Sequence, residues 1–198
     1  MSTNPATVSP MMLRLSAYIA GAAKRPLPRD VLARARLHLV DTFAAMISGS
    51  RLLPGQKAIA YARSLGGKPA AGIVGTRMIT TPQNAALANG MFGHADETDD
   101  THPPSLTHPG TSVVPAAIAI GEQHQLPGKS VLRAIVLGYD ICSRMLLTLK
   151  PMPYLRSGHH AAYLARVEFQ QRAGCRCRAE YLARRRRVMP RAQIGHGF

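Results

Sequence analysis

Apolar residues recur at intervals of three and four over most of the chain ahead of Tyr154, and that spacing predicts helices. The clearest stripe is Leu32, Ala35, Leu39, Phe43 and Met46, with Arg29, Arg34 and Arg36 off it. It predicts a helix that begins after the Pro26–Pro28 break and is ended by Gly49. Upstream, Ser9 and Pro10 read as an N-cap and first helical position, with Leu13, Ala17 and Ala20 on one face up to Gly21. Gln56 to Leu65 predicts a shorter helix closed by Gly66 and Gly67. Ala70 to Thr80 mixes glycine with β-branched residues, the pattern of a short hairpin or extended connector. Thr81 and Pro82 then open a helix rich in Ala and Asn that runs through Asn89. His94 to Gly110 is polar, proline-bearing and without a period, hence a loop. Two apolar helices, 111–123 and 129–147, follow with Gly128 between them. Long helices joined by short connectors predict an all-α body.

Composition narrows the class. A chain of 198 residues fits one domain at about 150 residues each, and is long enough to bury a core. With no Trp and 5% aromatics, that core is built from Ala, Leu, Ile, Val and Met. The longest apolar run, Val113 to Ile120, is interrupted by Pro115 and falls well short of the roughly 20 residues that cross a bilayer. No basic segment precedes an apolar one at the N-terminus, so no secretory signal is expected. Cys142, Cys175 and Cys177 do not make a disulfide framework. The expected location is the cytoplasm, with no membrane partner.

The net charge of +15 invites a nucleic-acid hypothesis, but the charge is uneven. Residues 166–198 hold nine Arg, no Lys and two Glu, and include the run Arg184 to Arg187. Residues 1–165 are milder, at 16 basic against eight acidic. No aromatic residues interleave with the Arg run, as stacking on bases would want. An abrupt turn to Arg, Ala, Gly and Cys without Lys also matches an out-of-frame reading of GC-rich coding sequence, and that explanation is preferred. The expected organisation is an incomplete helical domain over 1–165 and an Arg-rich tail over 166–198, out of frame or disordered.

Chemistry concentrates in the loop. Asp96, Glu97, Asp99 and Asp100 lie within five residues, flanked by His94, His102 and His108. Carboxylates packed this closely repel, and in a cleft they push one pKa upward, as a general acid or base near neutral pH requires. The alternative is a solvated acidic turn that caps helices, Thr111 marking a start that such a cap would serve. His94 and Asp96, with His102 and His108, are also possible metal ligands, yet no HExxH or paired CxxC spacing is present and no metal is expected. Cys175 and Cys177 are too few for an iron–sulfur cluster. Neither GxGxxG nor the P-loop pattern occurs; Gly128-Lys129-Ser130 keeps only the last letters of the latter.

At this loop the sequence resembles the MmgE/PrpD family, which includes 2-methylcitrate dehydratase, cis-aconitate decarboxylase and iminodisuccinate epimerase. The matching run is Ala85 through Gly90, then His94 through Asp100, then Thr107-His108-Pro109-Gly110. Gly121-Glu122, Gly128-Lys129, Ala134 through Tyr139, and upstream Val31 through Ala35 with Asp41-Thr42 fit the same pattern. The resemblance covers about residues 11–160 and implies an all-helical domain, here truncated before the small α+β lid domain that completes family members. It further implies a homodimer, no cofactor, and a di- or tricarboxylate substrate.

By the same resemblance the acidic loop lines the active-site cleft. Glu97 falls where the family has an acidic residue, followed by Asp99, Asp100 and Thr101, and His108 matches the histidine of the family's HPG segment. Gly158-His159-His160 resembles a step carrying a second active-site histidine, which would be His160. One residue is inserted between Thr101 and His108, and the family's later lysine, tyrosine and lid have no counterpart. Taking a proton from carbon beside a carboxylate builds negative charge as an enediolate, so the site needs a base and donors aimed at that charge. Asp99 or Asp100 would hold a histidine or substrate hydroxyl, and His108 and His160 would move protons. Arg144 and Arg156 are available to hold substrate carboxylates. The expectation is a lyase-type, 2-methylcitrate dehydratase-like protein of propionate metabolism, with little activity as the chain stands. Two other classes remain: a basic nucleic-acid-binding module using the tail, and a non-catalytic helical dimerisation module.

Overall fold

A computed structural model describes residues 9–22, 24–95 and 97–148. Asp96, Arg156, His160, Cys175, Cys177 and the whole 166–198 tail lie outside the described residues. The described part is six helices and one two-stranded ribbon in the order α1 (Pro10–Ala22), α2 (Arg29–Ser50), α3 (Leu53–Leu65), β1 (Ala71–Gly72), β2 (Ile79–Thr80), α4 (Pro82–Gly93), α5 (Gly110–Gln123) and α6 (Gly128–Thr148). The all-α expectation holds, and the Ala70–Thr80 stretch is the expected hairpin, its strands antiparallel with Ala71 opposite Thr80. None of the described helices is long and apolar enough to cross a membrane.

The core is small-residue packing around a few bulky side chains. Met46, Phe92, Ile73, Val114 and Ile135 are fully buried, with Ala58, Ala62, Ala85, Ala88 and Ala119 between them. Phe43 and Leu39 of the expected α2 stripe pack against this core from its edge. α1 departs from expectation: its Leu13 face stays exposed and the helix buries no residue fully. Tyr18 of α1 donates to Asp140 Oδ2 at 2.6 Å, and Arg133 donates to the carbonyl of Ala22 at the helix end and to that of Arg25 just beyond it.

Gly49 does not end α2, which runs on through Ser50. Its role is close approach. A Cβ there would lie 1.9 Å from the Phe92 carbonyl oxygen, so only glycine lets α2 and α4 cross at this point. α4 meets α5 in the same way, for a Cβ on Gly90 would stand 2.9 Å from the Thr111 carbonyl oxygen. Pro115, inside α5, has no N–H to offer that carbonyl, the one four residues back. These crossings bring the end of α4 beside the start of α5, and the loop between them spans that gap.

Two polar residues of the sequence pattern prove to be scaffold. Asn89 is buried on α4, accepting from Val74 N at 2.9 Å and donating to Gly72 O at 3.1 Å. Glu122 of α5 accepts from Gly72 N at 2.7 Å. Together they satisfy hairpin backbone groups that two-residue strands cannot pair by themselves. Thr81 caps α4 by accepting from Asn84 N at 3.3 Å, as its position before Pro82 suggested.

Replacing Gly49 decides between two effects. Ala gains about 1 kcal/mol over Gly inside a helix, whereas forcing a methyl into a closed contact costs about 1–3 kcal/mol. The 1.9 Å overlap with backbone leaves nothing flexible to yield, so Gly49→Ala is expected to lower the urea midpoint by about 2 kcal/mol equivalent. Gly128→Ala, where a Cβ meets nothing within 4 Å, is expected to stay within about 0.5 kcal/mol. A Gly49→Ala protein as stable as the parent would refute the crossing.

Candidate active site

The His94–Gly110 segment is held by its own side chains before it holds anything else. His102 N donates to Thr107 O at 2.8 Å, closing a small loop. Inside it the buried Ser105 hydroxyl lies 2.6 Å from both His102 Nδ1 and Thr107 Oγ1. His102 is thereby a loop brace. Leu106 and Glu97 both take left-handed backbone, at φ 54° and 62°. Glu97 is exposed.

Asp99 and Asp100 turn inward instead. The Asp99 side chain is 2% exposed and its Oδ2 lies 2.9 Å from His94 Nδ1 and 3.4 Å from His108 Nδ1. His94 is the C-cap of α4 and His108 immediately precedes the turn into α5, so the α4–α5 crossing is what brings the two imidazoles together, 5.7 Å apart at their centroids. His108 Nδ1 also lies 3.0 Å from the Asp100 carbonyl oxygen and 3.4 Å from Thr101 Oγ1. A ring nitrogen facing a carboxylate and a carbonyl must carry its proton to be held there. In the neutral ring the lone pair is then on Nε2.

The Asp100 side chain, 9% exposed, does three jobs. Its Oδ1 accepts from Gly110 N at 2.9 Å, capping α5 from across the loop. The capping alternative is therefore correct for this residue, and it is compatible with chemistry, since the positive end of α5 favours a carboxylate there. Its Oδ2 accepts from the Tyr139 hydroxyl at 2.8 Å and lies 3.2 Å from His38 Nδ1. Gly110 makes room for this arrangement. A Cβ on it would stand 2.7 Å from both Asp100 Oδ1 and Thr42 Oγ1 and 2.9 Å from the Tyr139 hydroxyl.

Of the residues expected at the site, Asp99, Asp100, Thr101 and His108 come together in one hydrogen-bonded group. His160 is outside the described residues. Arg144, a possible substrate-binding cation, donates instead to Asp140 Oδ1 at 2.6 Å, one turn back on α6. Sequence reasoning missed His38 and Tyr139 as site residues. Their signal was faint: His38 is the one polar residue beside Leu39 and Leu37 on α2, and Tyr139 hides in an apolar helix. The two rings lie 5.1 Å apart. Among the described residues, no group of three or more His, Cys, Asp and Glu side chains is arranged to hold a metal ion.

Burial pushes the Tyr139 phenol well above its ordinary value near 10, and its hydrogen bond to Asp100 and the charge of that carboxylate push it further. Asp41 adds to the rise and the Thr42 hydroxyl opposes it. A group whose pKa is raised on folding gives its full stabilisation below the unfolded value and loses it as the pH climbs toward the folded one. The urea midpoint is therefore expected to fall as pH rises past about 10, and Tyr139→Phe is expected to flatten that fall. Parallel pH dependences for parent and variant would show that the phenol is not held by Asp100.

Residues 13–167 match the model of the MmgE/PrpD N-terminal domain. The chain is 27% identical over 148 residues to cis-aconitate decarboxylase of Aspergillus terreus, covering 72% of this chain and 30% of that protein. It is 28% identical over 138 residues to the cis-aconitate decarboxylase-like protein oryM of Aspergillus oryzae, covering 70% of this chain and 28% of that one. The chain thus spans less than a third of the length of these curated relatives. A match over that stretch, carrying the acidic loop and both of its inward-facing aspartates, makes the chain a member of the MmgE/PrpD family through its N-terminal helical domain.

Proposed function

We propose that this cluster moves protons at a carbon beside a carboxylate of a small polycarboxylate, in a lyase reaction. The observation that carries the reading is the Asp99 carboxylate, shielded from water, with His94 and His108 both on its Oδ2. A carboxylate behind Nδ1 fixes the tautomer and makes the far nitrogen a better base, and it stabilises the imidazolium once a proton is taken. In a dehydration, His108 Nε2 takes the proton from carbon and hydroxide leaves from the neighbouring carbon. In a decarboxylation a His108 imidazolium, having taken its proton from solvent, gives that proton to the carbanion that forms as carbon dioxide departs. One residue thus serves either reaction, depending on which group leaves.

The Thr101 hydroxyl, 3.4 Å from His108 Nδ1, is proposed as a donor to substrate, His160 as a second histidine that moves protons, and Glu97 as the acidic residue of the family's loop pattern. Those assignments rest on the sequence pattern. cis-Aconitate is the favoured substrate because two curated relatives are named for its decarboxylation, with 2-methylcitrate next.

The test is turnover in D2O followed by proton NMR. With cis-aconitate the protein is expected to release carbon dioxide faster than buffer and to leave deuterium on carbon. His108→Gln is expected to lower that rate by about 100-fold with the helical circular dichroism unchanged. Turnover of 2-methylcitrate alone would move the reading to dehydration. Equal rates for parent and His108→Gln, or no turnover of either acid, would defeat it.

A further inference from the structure

Asp100 meets His108 through its main chain. The Asp100 carbonyl oxygen lies 3.0 Å from His108 Nδ1, closer than the Asp99 carboxylate at 3.4 Å. His108 therefore rests on Asp100 at least as firmly as on Asp99. The side chain of the same residue is fixed from three elements, by Gly110 N of α5, the Tyr139 hydroxyl of α6 and His38 Nδ1 of α2. Turning the Asp100 backbone would carry its carboxylate off these donors. Whatever holds the carboxylate thus also holds the carbonyl under His108.

The three donors are not equivalent. Gly110 N holds Oδ1, whereas Tyr139 and His38 both meet Oδ2, at 2.8 and 3.2 Å. The His38 side chain is 43% exposed, so water can stand in for it. The Tyr139 hydroxyl sits in tighter surroundings. Thr42 and Gly110 are buried, and a Cβ on Gly110 would stand 2.9 Å from that hydroxyl and 2.7 Å from Thr42 Oγ1. A water has little room to replace a phenol oxygen packed in this way.

We infer that Tyr139 is a positioning residue for His108, acting through Asp100. Its hydroxyl pins the Asp100 carboxylate, and the Asp100 carbonyl in turn holds the His108 Nδ1 proton, so that the ring keeps one orientation. Tyr139 is not a catalytic residue, because its hydroxyl is spent on Asp100. The consequence for turnover rests on His108 being the proton carrier proposed above; the link from Tyr139 to His108 does not.

Two readouts keep the link and the reaction apart. In the full chain, exchange of the His108 Nδ1 proton with water, read from its NMR line, is expected to quicken by about fivefold or more in Tyr139→Phe, the loss of one hydrogen bond. His38→Gln is expected to change it by less than about twofold, because Gln still donates and water has access. Ala62→Gly, on a helix that supplies nothing to the cluster, lowers stability through helix propensity and is expected to leave the exchange as in the parent. With cis-aconitate, Tyr139→Phe is expected to lower kcat by about tenfold and to keep KM within about twofold. Unchanged proton exchange in Tyr139→Phe overturns the link, as does an equal effect of Ala62→Gly or His38→Gln. Faster exchange with kcat unchanged overturns the positioning role. A parent protein without turnover defeats the lyase reading instead, and the exchange rates alone then decide whether Tyr139 holds His108.

Discussion

Everything in this site depends on two neighbouring carboxylates being turned away from water at the end of one loop. Asp99 and Asp100 are adjacent in sequence, so their negative charges cannot separate far, and each must be met by donors or it would not stay inside. The donors are divided between them. Asp99 takes His94 and His108, while Asp100 takes His38, Tyr139 and the first N–H of α5. Removing one donor would leave part of a shielded charge unanswered, a loss of about 1–3 kcal/mol or more. The loop conformation and the imidazole orientations are therefore one problem with one solution.

The scaffold solves it with absent side chains. Gly49, Gly90 and Gly110 each occupy a place where a single extra carbon would collide with backbone or with the site's own polar atoms. Their effect is to bring α2, α4, α5 and α6 close enough that residues from four elements reach the same two carboxylates. Ala dominates the core for the same reason: close helix crossings need small contacts, and the few bulky residues, Met46 and Phe92 foremost, fill what remains. The braced His102–Thr107 turn fixes the length of the loop between Asp100 and His108.

The helices were legible because they are long and their apolar period is strong; the hairpin was legible from Gly and β-branched residues. Gly49 was misjudged as a stop, because a glycine that ends a helix and one that admits a neighbour look alike along the chain. The loop announced itself by its crowded acids, and Asp99, Asp100, Thr101 and His108 could be named from it. Capping accounts for one oxygen of Asp100, which meets the start of α5, while its other oxygen meets Tyr139 and His38. His38 and Tyr139 were hidden because their importance lies in long-range contact, 62 and 39 residues from Asp100. No local pattern marks a side chain that serves a partner so distant. The exposed α1 face likewise escaped notice, since a period of three and four shows an apolar stripe but not what covers it.

The buried aspartates hold their histidines by Nδ1 and leave Nε2 facing outward. Long-range proton–nitrogen NMR of the imidazole rings reads this directly, because protonated and unprotonated ring nitrogens resonate far apart. At a pH where the rings are neutral, His94 and His108 are predicted to carry their proton on Nδ1. Rings protonated on Nε2, with Nδ1 bare toward Asp99, would contradict the account at its foundation.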